Sequence, residues 1–241
     1  RILTTHVGSL IRPDELLTYI RPLQAGEPYD LAAYAACLTS SVADIVRHQA
    51  AAGLDVISDG EFGKSISWSQ YALERLSGFE QRPISAEGNT FAQGADRERF
   101  AAFYEELDGK QKYATVNEAV CVGPIAYTGL AEVDRDIANF KAALEGHAPQ
   151  QSYLPSVTPG SIEHWLANEH YGSTEDFVFA IAEAMGMEWG QSFQRTRLAI
   201  VLGSIPSHVL CSCFGTNRKV TGRTIAARFL HLQLNIPRLR Q

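Results

Sequence analysis

The sequence predicts an α/β protein built on a parallel sheet, and three observations support this prediction. Short β-like runs alternate with amphipathic helical segments, which is the pattern of parallel strands joined by crossover helices. Of the 241 residues, 45% are hydrophobic and 20% are charged, a composition typical of a globular protein with a substantial core. The length fits a single (β/α)8 barrel and also fits two small domains.

The first elements are predicted to form a β-α-β unit. Residues 2–7 are a short β-like run. A helix is predicted between an N-cap at Asp30 and a C-cap glycine at Gly53, because apolar residues recur there at helical spacing. Residues 54–58 then predict a second strand.

Two further β-then-α units are predicted before residue 188. The remaining segments are, in order, a helix over 67–76, an inserted excursion over about 79–118 with a charged helix at 95–107, a strand over 119–122, a helix over 133–146, a strand over 151–157 and a helix over 173–187. The two strands are interpreted as the third and fourth of the parallel sheet. Beyond them, 198–202 and 208–214 read as strands, and 224–234 fits a strand or a short helix.

The distribution of charge divides the chain at residue 188. Residues 1–188 hold 13 basic and 27 acidic side chains, whereas residues 189–241 hold eight basic and no acidic ones. At uniform density the second segment would contain about six carboxylates. We therefore treat residues 1–188 and the basic tail over 189–241 as separate regions of the sequence.

Composition also excludes several classes of protein. No apolar run approaches the ~20 residues of a spanning helix, and no secretory leader is legible, so we expect a cytoplasmic protein without membrane association. The 4 cysteines are too few for a disulfide scaffold, which predicts reduced thiols. The basic tail lacks a recognisable nucleic-acid-binding fold, so no nucleic-acid partner is expected.

Each predicted strand ends in a polar or glycine-rich turn, and ligands of parallel α/β proteins collect at such strand ends. The turns are His6-Val7-Gly8-Ser9, Asp59-Gly60-Glu61-Phe62-Gly63-Lys64, 123–129 and 158–161. Ser9 offers a hydroxyl, and a carboxylate such as Glu61 can bind an ammonium group or act as a base. The alternative, that these glycines and prolines only turn the chain, stays open.

These turns and their flanks, taken in order, resemble one family. The runs that carry the resemblance are THVGSL, GLDVISDGEFGK, VCVGPIAYTG, DIANFKAAL and LPSVTPGSIEHWLANEHY. They are similar to the cobalamin-independent methionine synthases, specifically the short single-barrel relatives of the catalytic domain. The resemblance covers residues 1–188 and departs from the family at Ile11, where proline is usual.

The resemblance implies a (β/α)8 barrel, here incomplete or with a divergent second half. The implied enzyme transfers a methyl or alkyl group from a 5-methyl folate-type donor to a small thiol such as homocysteine. In the family, zinc holds the sulfur as thiolate and an acid protonates the departing folate nitrogen. An incomplete barrel leaves strand edges and its inner face open, which predicts a homo-oligomer or a partly molten state.

The resemblance also implies roles for particular residues. The family turn that matches Val7-Gly8-Ser9 binds the amino-acid backbone of homocysteine, and the glutamate that matches Glu61 binds its amino group. Asp59 stands where the long synthases have histidine, so an acid or folate-contact role is a hypothesis for it. Lys64 is a candidate contact for the anionic folate tail.

The zinc ligands are the part of the family pattern that this sequence does not match. The family takes them from a His-x-Cys strand, a glutamate and a second cysteine, all in the second half of the barrel. The candidates here are His208, Cys211 and Cys213, and the spacing from histidine to the first cysteine is one residue too long. In an extended strand His208 and Cys211 would face opposite sides, whereas Cys211 and Cys213 would share one.

Two interpretations of the tail and two of the function stay open. Residues 189–241 are either a foreign carboxy-terminal sequence, such as a frameshift or a misassembled gene model produces, or a compressed second half of the barrel. The joint loss of acidic residues and of family resemblance favours the first. The chain is accordingly either an S-methyltransferase of the methionine synthase type or a non-catalytic truncated barrel without a zinc site. A decarboxylase like the related uroporphyrinogen enzymes fits the Asp-Gly-Glu and Tyr-Thr-Gly signatures less well.

Overall fold

The computed structural model describes residues 1–64, 68–83, 95–111, 117–163, 166–196 and 199–202, which form a mixed α/β protein. The helices are α1 (Asp14–Ala25), α2 (Leu31–Ala51), α3 (Trp68–Glu74), α4 (Ala95–Arg99), α5 (Ala101–Gln111), α6 (Leu130–Leu144), α7 (Pro159–Glu163) and α8 (Thr174–Thr196). The strands are β1 (Val56–Ser58), β2 (Phe79–Pro83), β3 (Asn117–Cys121), β4 (Gln151–Ser156), β5 (Leu166–Asn168) and β6 (Ala199–Leu202). None of the helices in these ranges is long and apolar enough to cross a bilayer.

The strands form two separate sheets. The first has the order β1-β4-β6 and is parallel throughout, and Thr5 extends it through a parallel bridge to Val56. In the second sheet β3 pairs antiparallel with β2 and parallel with β5. The predicted parallel sheet with crossover helices is therefore confirmed, whereas over the described residues the first sheet is open and not closed into a barrel.

The prediction that residues 119–122 form the third strand of the parallel sheet is wrong. This segment is β3, and it pairs with β2 in the second sheet, where Phe79 lies opposite Cys121. The strand that follows β1 in the first sheet is β4, and β6 adds the next parallel neighbour. A short apolar run carries no periodicity that identifies its partner, and β2 lies in the segment interpreted as an excursion.

The predicted helix after Asp30 is confirmed as α2. The Asp30 carboxylate accepts hydrogen bonds from the backbone N–H groups of Ala32 and Ala33, both at 3.0 Å, which satisfies two of the donors that a helix leaves unpaired at its start. In contrast, α1 is an element that the sequence analysis does not predict. Pro13 precedes the first helical residue, a position that proline tolerates well.

Helix α8 extends beyond the predicted 173–187. It begins as expected with Ser173, whose hydroxyl accepts from the Asp176 N–H at 3.1 Å, and it continues to Thr196. The helix thus passes without interruption through residue 188, where the charge distribution changes. Trp189, the first residue of the acid-free segment, is buried, and its indole N–H donates to the Ser156 hydroxyl at 3.0 Å.

Two hydrophobic clusters position the strand ends. The first packs α1, α2 and α6 against β1 and β4, through Leu16, Ile20, Leu38, Val46, Ile57, Phe140 and Leu154. The second packs α8 against α3, α7 and β3, through Ala72, Cys121, Ile162, Phe177, Ile181, Met185 and Trp189. The carboxyl end of β1 lies beside the middle of β4, since Ser58 pairs with Tyr153.

Candidate functional site

The turn that ends β1 holds Glu61 in an uncommon backbone conformation. Gly60 has φ 70° and Glu61 has φ 63°, the latter being the only positive φ outside glycine among the described residues. The Asp59 carboxylate accepts a hydrogen bond from the Glu61 N–H at 3.0 Å. A left-handed residue other than glycine costs about 1–3 kcal/mol and persists where its surroundings hold it, which is common at functional sites.

Ser9 and Glu61 are in direct contact. The Ser9 hydroxyl donates to the Glu61 carboxylate, with Oγ and Oε2 2.5 Å apart. Gly8 has φ 92°, which turns the chain just before Ser9, and Val7 is 71% exposed. The structure therefore brings the Val7-Gly8-Ser9 turn next to Glu61, although the predicted strand over 2–7 is present only as the bridge at Thr5. The binding role of these four residues stays a prediction.

Tyr153 on β4 reaches the same strand ends and was not anticipated from the sequence. Its hydroxyl donates to the backbone carbonyl of His6. Burial raises the pKa of the phenol, and the Glu61 and Asp59 carboxylates contribute in the same direction. Tyr153 thus ties the segment at His6 to β4 close to both carboxylates.

Asp59 is a buried carboxyl poised near neutral pH. Asp59 is 2% exposed, and this burial raises the pKa of its carboxyl to about 6. The positive charge of Lys64 acts in the opposite direction and lowers that pKa. The Lys64 ammonium donates to the Pro155 carbonyl and lies 4.8 Å from the centre of the Tyr71 ring. Lys64 is buried with an internal partner, and its contact with an anionic substrate stays a prediction.

Behind this turn, Glu188 is surrounded by hydrogen-bond donors. Its Oε1 accepts from the Tyr71 hydroxyl at 2.8 Å and the Ser156 hydroxyl at 2.9 Å, and its Oε2 accepts from the Tyr127 hydroxyl at 2.7 Å. The Arg75 guanidinium lies 3.5 Å from Oε2. Burial and the Glu188 carboxylate raise the pKa of both phenols, which keeps them protonated as donors.

Arg75 also joins Glu188 to a second buried carboxylate. Its Nη2 lies 2.6 Å from Asp136 Oδ2, and Arg135 donates both to Asp136 at 2.9 Å and to the Gly63 carbonyl at 2.8 Å. We call Tyr71, Arg75, Tyr127, Asp136, Ser156 and Glu188 the buried polar network. A small cleft between this network and the turn after β1 is lined by Asp59, Lys64, Arg75, Asp136, Ser156 and Glu188.

The described residues do not provide a metal site. Over these parts of the chain no group of three or more histidine, cysteine, aspartate or glutamate side chains is arranged to hold a metal ion. The zinc-ligand candidates His208, Cys211 and Cys213 lie outside the described residues. Among the described residues, Cys37 and Cys121 are buried free thiols.

Comparison with curated proteins finds methionine synthases. The chain is 25% identical over 187 residues to the methionine synthase of Thermococcus kodakarensis, which covers 77% of this chain and 47% of that protein. It is 24% identical over 226 residues to the methionine synthase of Pyrococcus furiosus, which covers 91% of this chain and 58% of that protein. It is 27% identical over 190 residues to the Sulfolobus acidocaldarius methionine synthase, which covers 77% of this chain and 46% of that protein. The chain spans about half the length of the curated relatives it matches, and no family model matches it.

Solved structures give the same fold. The B12-independent methionine synthase of Shewanella sp. W3-18-1, in complex with selenomethionine, has a TM-score of 0.55 at 18% identity, over 83% of this chain and 51% of that one. A putative B12-independent methionine synthase from Listeria monocytogenes has a TM-score of 0.55 at 19% identity, and the match covers 98% of this chain and 62% of that one. The predicted resemblance to cobalamin-independent methionine synthases, as a likeness of a segment, is confirmed.

Proposed function

We propose that this chain is the amino-acid-binding part of a methyltransferase of the B12-independent methionine synthase type. In this proposal a small thiol amino acid such as homocysteine accepts a methyl group from a 5-methyl folate-type donor. The observation that carries the proposal is the contact between Ser9 and Glu61, which follow Thr5 and β1 at the point where a parallel bridge joins Thr5 to Val56. The Shewanella relative, whose structure contains selenomethionine, supports an amino acid as the ligand class.

The chemistry of the site suits the backbone of an amino acid. The Glu61 carboxylate accepts hydrogen bonds from an ammonium group, and the Ser9 hydroxyl holds that carboxylate in place. The positive φ of Gly8 lets the loop backbone turn, so that its N–H groups can approach a ligand carboxylate. Asp59, with its pKa raised by burial to about 6, is the group in this region suited to exchange a proton near neutral pH.

Zinc enters this proposal only through the family resemblance. Because the described residues offer no fitting set of ligands, no step of the proposal passes through a metal. The spacing from His208 to Cys211, one residue longer than in the family, favours a second candidate function, a non-catalytic protein that binds the amino acid without activating its thiol. The two candidates share the Ser9–Glu61 site and differ in whether a methyl group is transferred.

Calorimetric titration of the full chain with L-homocysteine and L-methionine tests the shared site. Glu61→Gln removes the charge that pairs with the ammonium group, and a charge-assisted hydrogen bond worth about 1.5–3 kcal/mol predicts an affinity loss of about 10–100-fold. Ser9→Ala is expected to weaken binding less, in the same direction. The matched control is Glu27→Gln at an exposed position. Equal affinity in Glu61→Gln and the wild type would contradict the proposal.

A second assay separates the enzyme from the binding protein. The full chain is purified without chelator, its zinc content is measured, and homocysteine methylation is followed after a 5-methyl folate is added. Methylation that is lost in Cys211→Ser or Cys213→Ser identifies the enzyme. Amino-acid binding without methylation, with zinc below about a tenth of an equivalent and unchanged by these substitutions, identifies the binding protein.

A further inference from the structure

A guanidinium spans the turn that carries Glu61. Arg12, from the loop before α1, donates through Nη2 to the Glu61 carbonyl at 2.7 Å and to the Lys64 carbonyl at 3.2 Å. Next to it, the Leu10 N–H donates to the Gly60 carbonyl at 3.1 Å. Together with the Ser9 hydroxyl, these contacts join the two loops at several points.

The contacts of Arg12 fall on the strained part of the turn. The Glu61 backbone has φ 63°, and its carbonyl accepts both from Arg12 and from the Lys64 N–H at 3.2 Å. Hydrogen bonds from a charged donor are roughly twice as strong as neutral ones, and a guanidinium keeps its charge at all ordinary pH values. Arg12 is therefore suited to hold Glu61 in a conformation that the isolated turn would leave.

We propose that Arg12 is a positioning residue for Glu61, which acts by fixing the backbone of the turn so that the Glu61 carboxylate is presented beside Ser9. This inference rests on the proposed function, because Glu61 is there the group that binds the ammonium of the amino acid. Arg12 touches the backbone of the turn and not its carboxylate tip, so its effect on the ligand passes through Glu61.

A double-mutant cycle tests this directly. The dissociation constant for L-homocysteine is measured for the wild type, Arg12→Met, Glu61→Gln and the double variant. Arg12→Met is expected to weaken binding about tenfold, and the double variant is expected to bind no more weakly than Glu61→Gln alone, because two residues that act through one contact are not additive. Affinity losses that multiply would overturn the proposal, as would an unchanged affinity in Arg12→Met.

Two further variants separate positioning from a general loss of stability. Arg47→Met removes a guanidinium from the exposed surface of α2 and is expected to change neither affinity nor melting temperature appreciably. Arg12→Lys keeps one charged donor and is expected to recover part of the affinity, since one ammonium cannot reproduce the fixed fork of a guanidinium. Affinity is measured well below the melting temperature of each variant. If Arg12→Met then melts at a lower temperature but binds with the wild-type affinity, Arg12 has a structural role only.

The alternative that Arg12 contacts the ligand carboxylate is tested with 3-amino-1-propanethiol, which has the amine and thiol of homocysteine and no carboxylate. The tenfold loss in Arg12→Met is expected to persist with this ligand, and its disappearance would overturn the inference. If the wild type binds neither compound, the proposed function fails, but the role of Arg12 is still measured by amide hydrogen exchange. Faster exchange at Glu61 and Lys64 in Arg12→Met than in Arg47→Met supports it, and equal exchange contradicts it.

Discussion

Two carboxylates of this chain, Glu61 and Glu188, have opposite surroundings. Glu188 is 3% exposed, and its two oxygens accept from three hydroxyl groups and lie near the Arg75 guanidinium. Glu61 is half-buried on a strained turn, and its carboxylate receives a hydroxyl hydrogen bond from Ser9. A carboxylate has about four acceptor sites, so Glu188 is saturated by the protein whereas Glu61 retains capacity for a ligand.

The difference shows why burial and charge alone do not identify a binding site. The buried polar network joins α3, α6 and α8, and its charges are matched by partners inside the protein. The Ser9–Glu61 site joins two loops at strand ends and keeps strained backbone, which folding alone does not require. The first region is expected to determine stability and the second to determine binding.

Glu188→Ala is predicted to have the largest effect on stability. It leaves the Arg75 charge partly unmatched and removes the acceptor of two buried hydroxyl groups and of the half-buried Tyr127 hydroxyl. Breaking a buried ion pair from one side costs about 3–5 kcal/mol. The free energy of unfolding, measured in urea, checks this. Glu27→Ala at an exposed position serves as the control, with a change within about 0.5 kcal/mol. A loss below 1 kcal/mol in Glu188→Ala would show that the network is not structural.

Asp59→Asn is predicted to remove a pH dependence of stability. Because burial raises the Asp59 pKa to about 6 in the folded protein, well above its unfolded value, ionisation opposes folding above pH 6. The opposition fades as the pH falls from 6 towards 4 and is absent below that. A shift of about two units corresponds to about 3 kcal/mol, so Asp59→Asn gains stability relative to the wild type at pH 7.5 and not at pH 4. The free energy of unfolding of both proteins is measured at the two pH values. An equal difference between Asp59→Asn and the wild type at pH 7.5 and at pH 4 would refute this.

Gly63→Ala is predicted to have a smaller but clear effect. A Cβ at Gly63 would lie 2.1 Å from Asp136 Oδ1, so the carboxylate would have to leave Arg75 and Arg135. Overpacking of this kind costs about 1–3 kcal/mol. Gly172→Ala is the matched control, because nothing lies within 4 Å of its Cβ position. Equal melting temperatures for the two variants would contradict the close approach of Gly63 to the network.

Local patterns identified those elements whose signals lie within one segment. The Asp30 cap, the period of α2 and the Ser173 capping box need only neighbouring residues, and all three are present in the structure. The pairing of β3 depends on residues some forty positions away in β2, so no local period reveals it. The assignment of 119–122 to the parallel sheet was wrong for this reason.

The candidate site could be predicted only in part, on the same grounds. Ser9 and Glu61 were found because each follows a strand in a recognisable motif. Arg12, Tyr153 and Glu188 were not, because their roles depend on contacts with residues 32 to 147 positions distant in sequence. For Glu188 one signal was present in the sequence: it is the last acidic residue of the chain, directly before a tryptophan on a helix.

The most direct test of the account is a titration of the isotope-labelled full chain with L-methionine, followed through its backbone amide resonances. We expect saturable shifts concentrated at Gly8, Ser9, Gly60 and Glu61, which are absent in Glu61→Gln, while the amides around Glu188 and Asp136 move little. Shifts centred on the buried polar network, or no saturable shifts at the strand-end loops, would contradict the assignment of binding to the Ser9–Glu61 site.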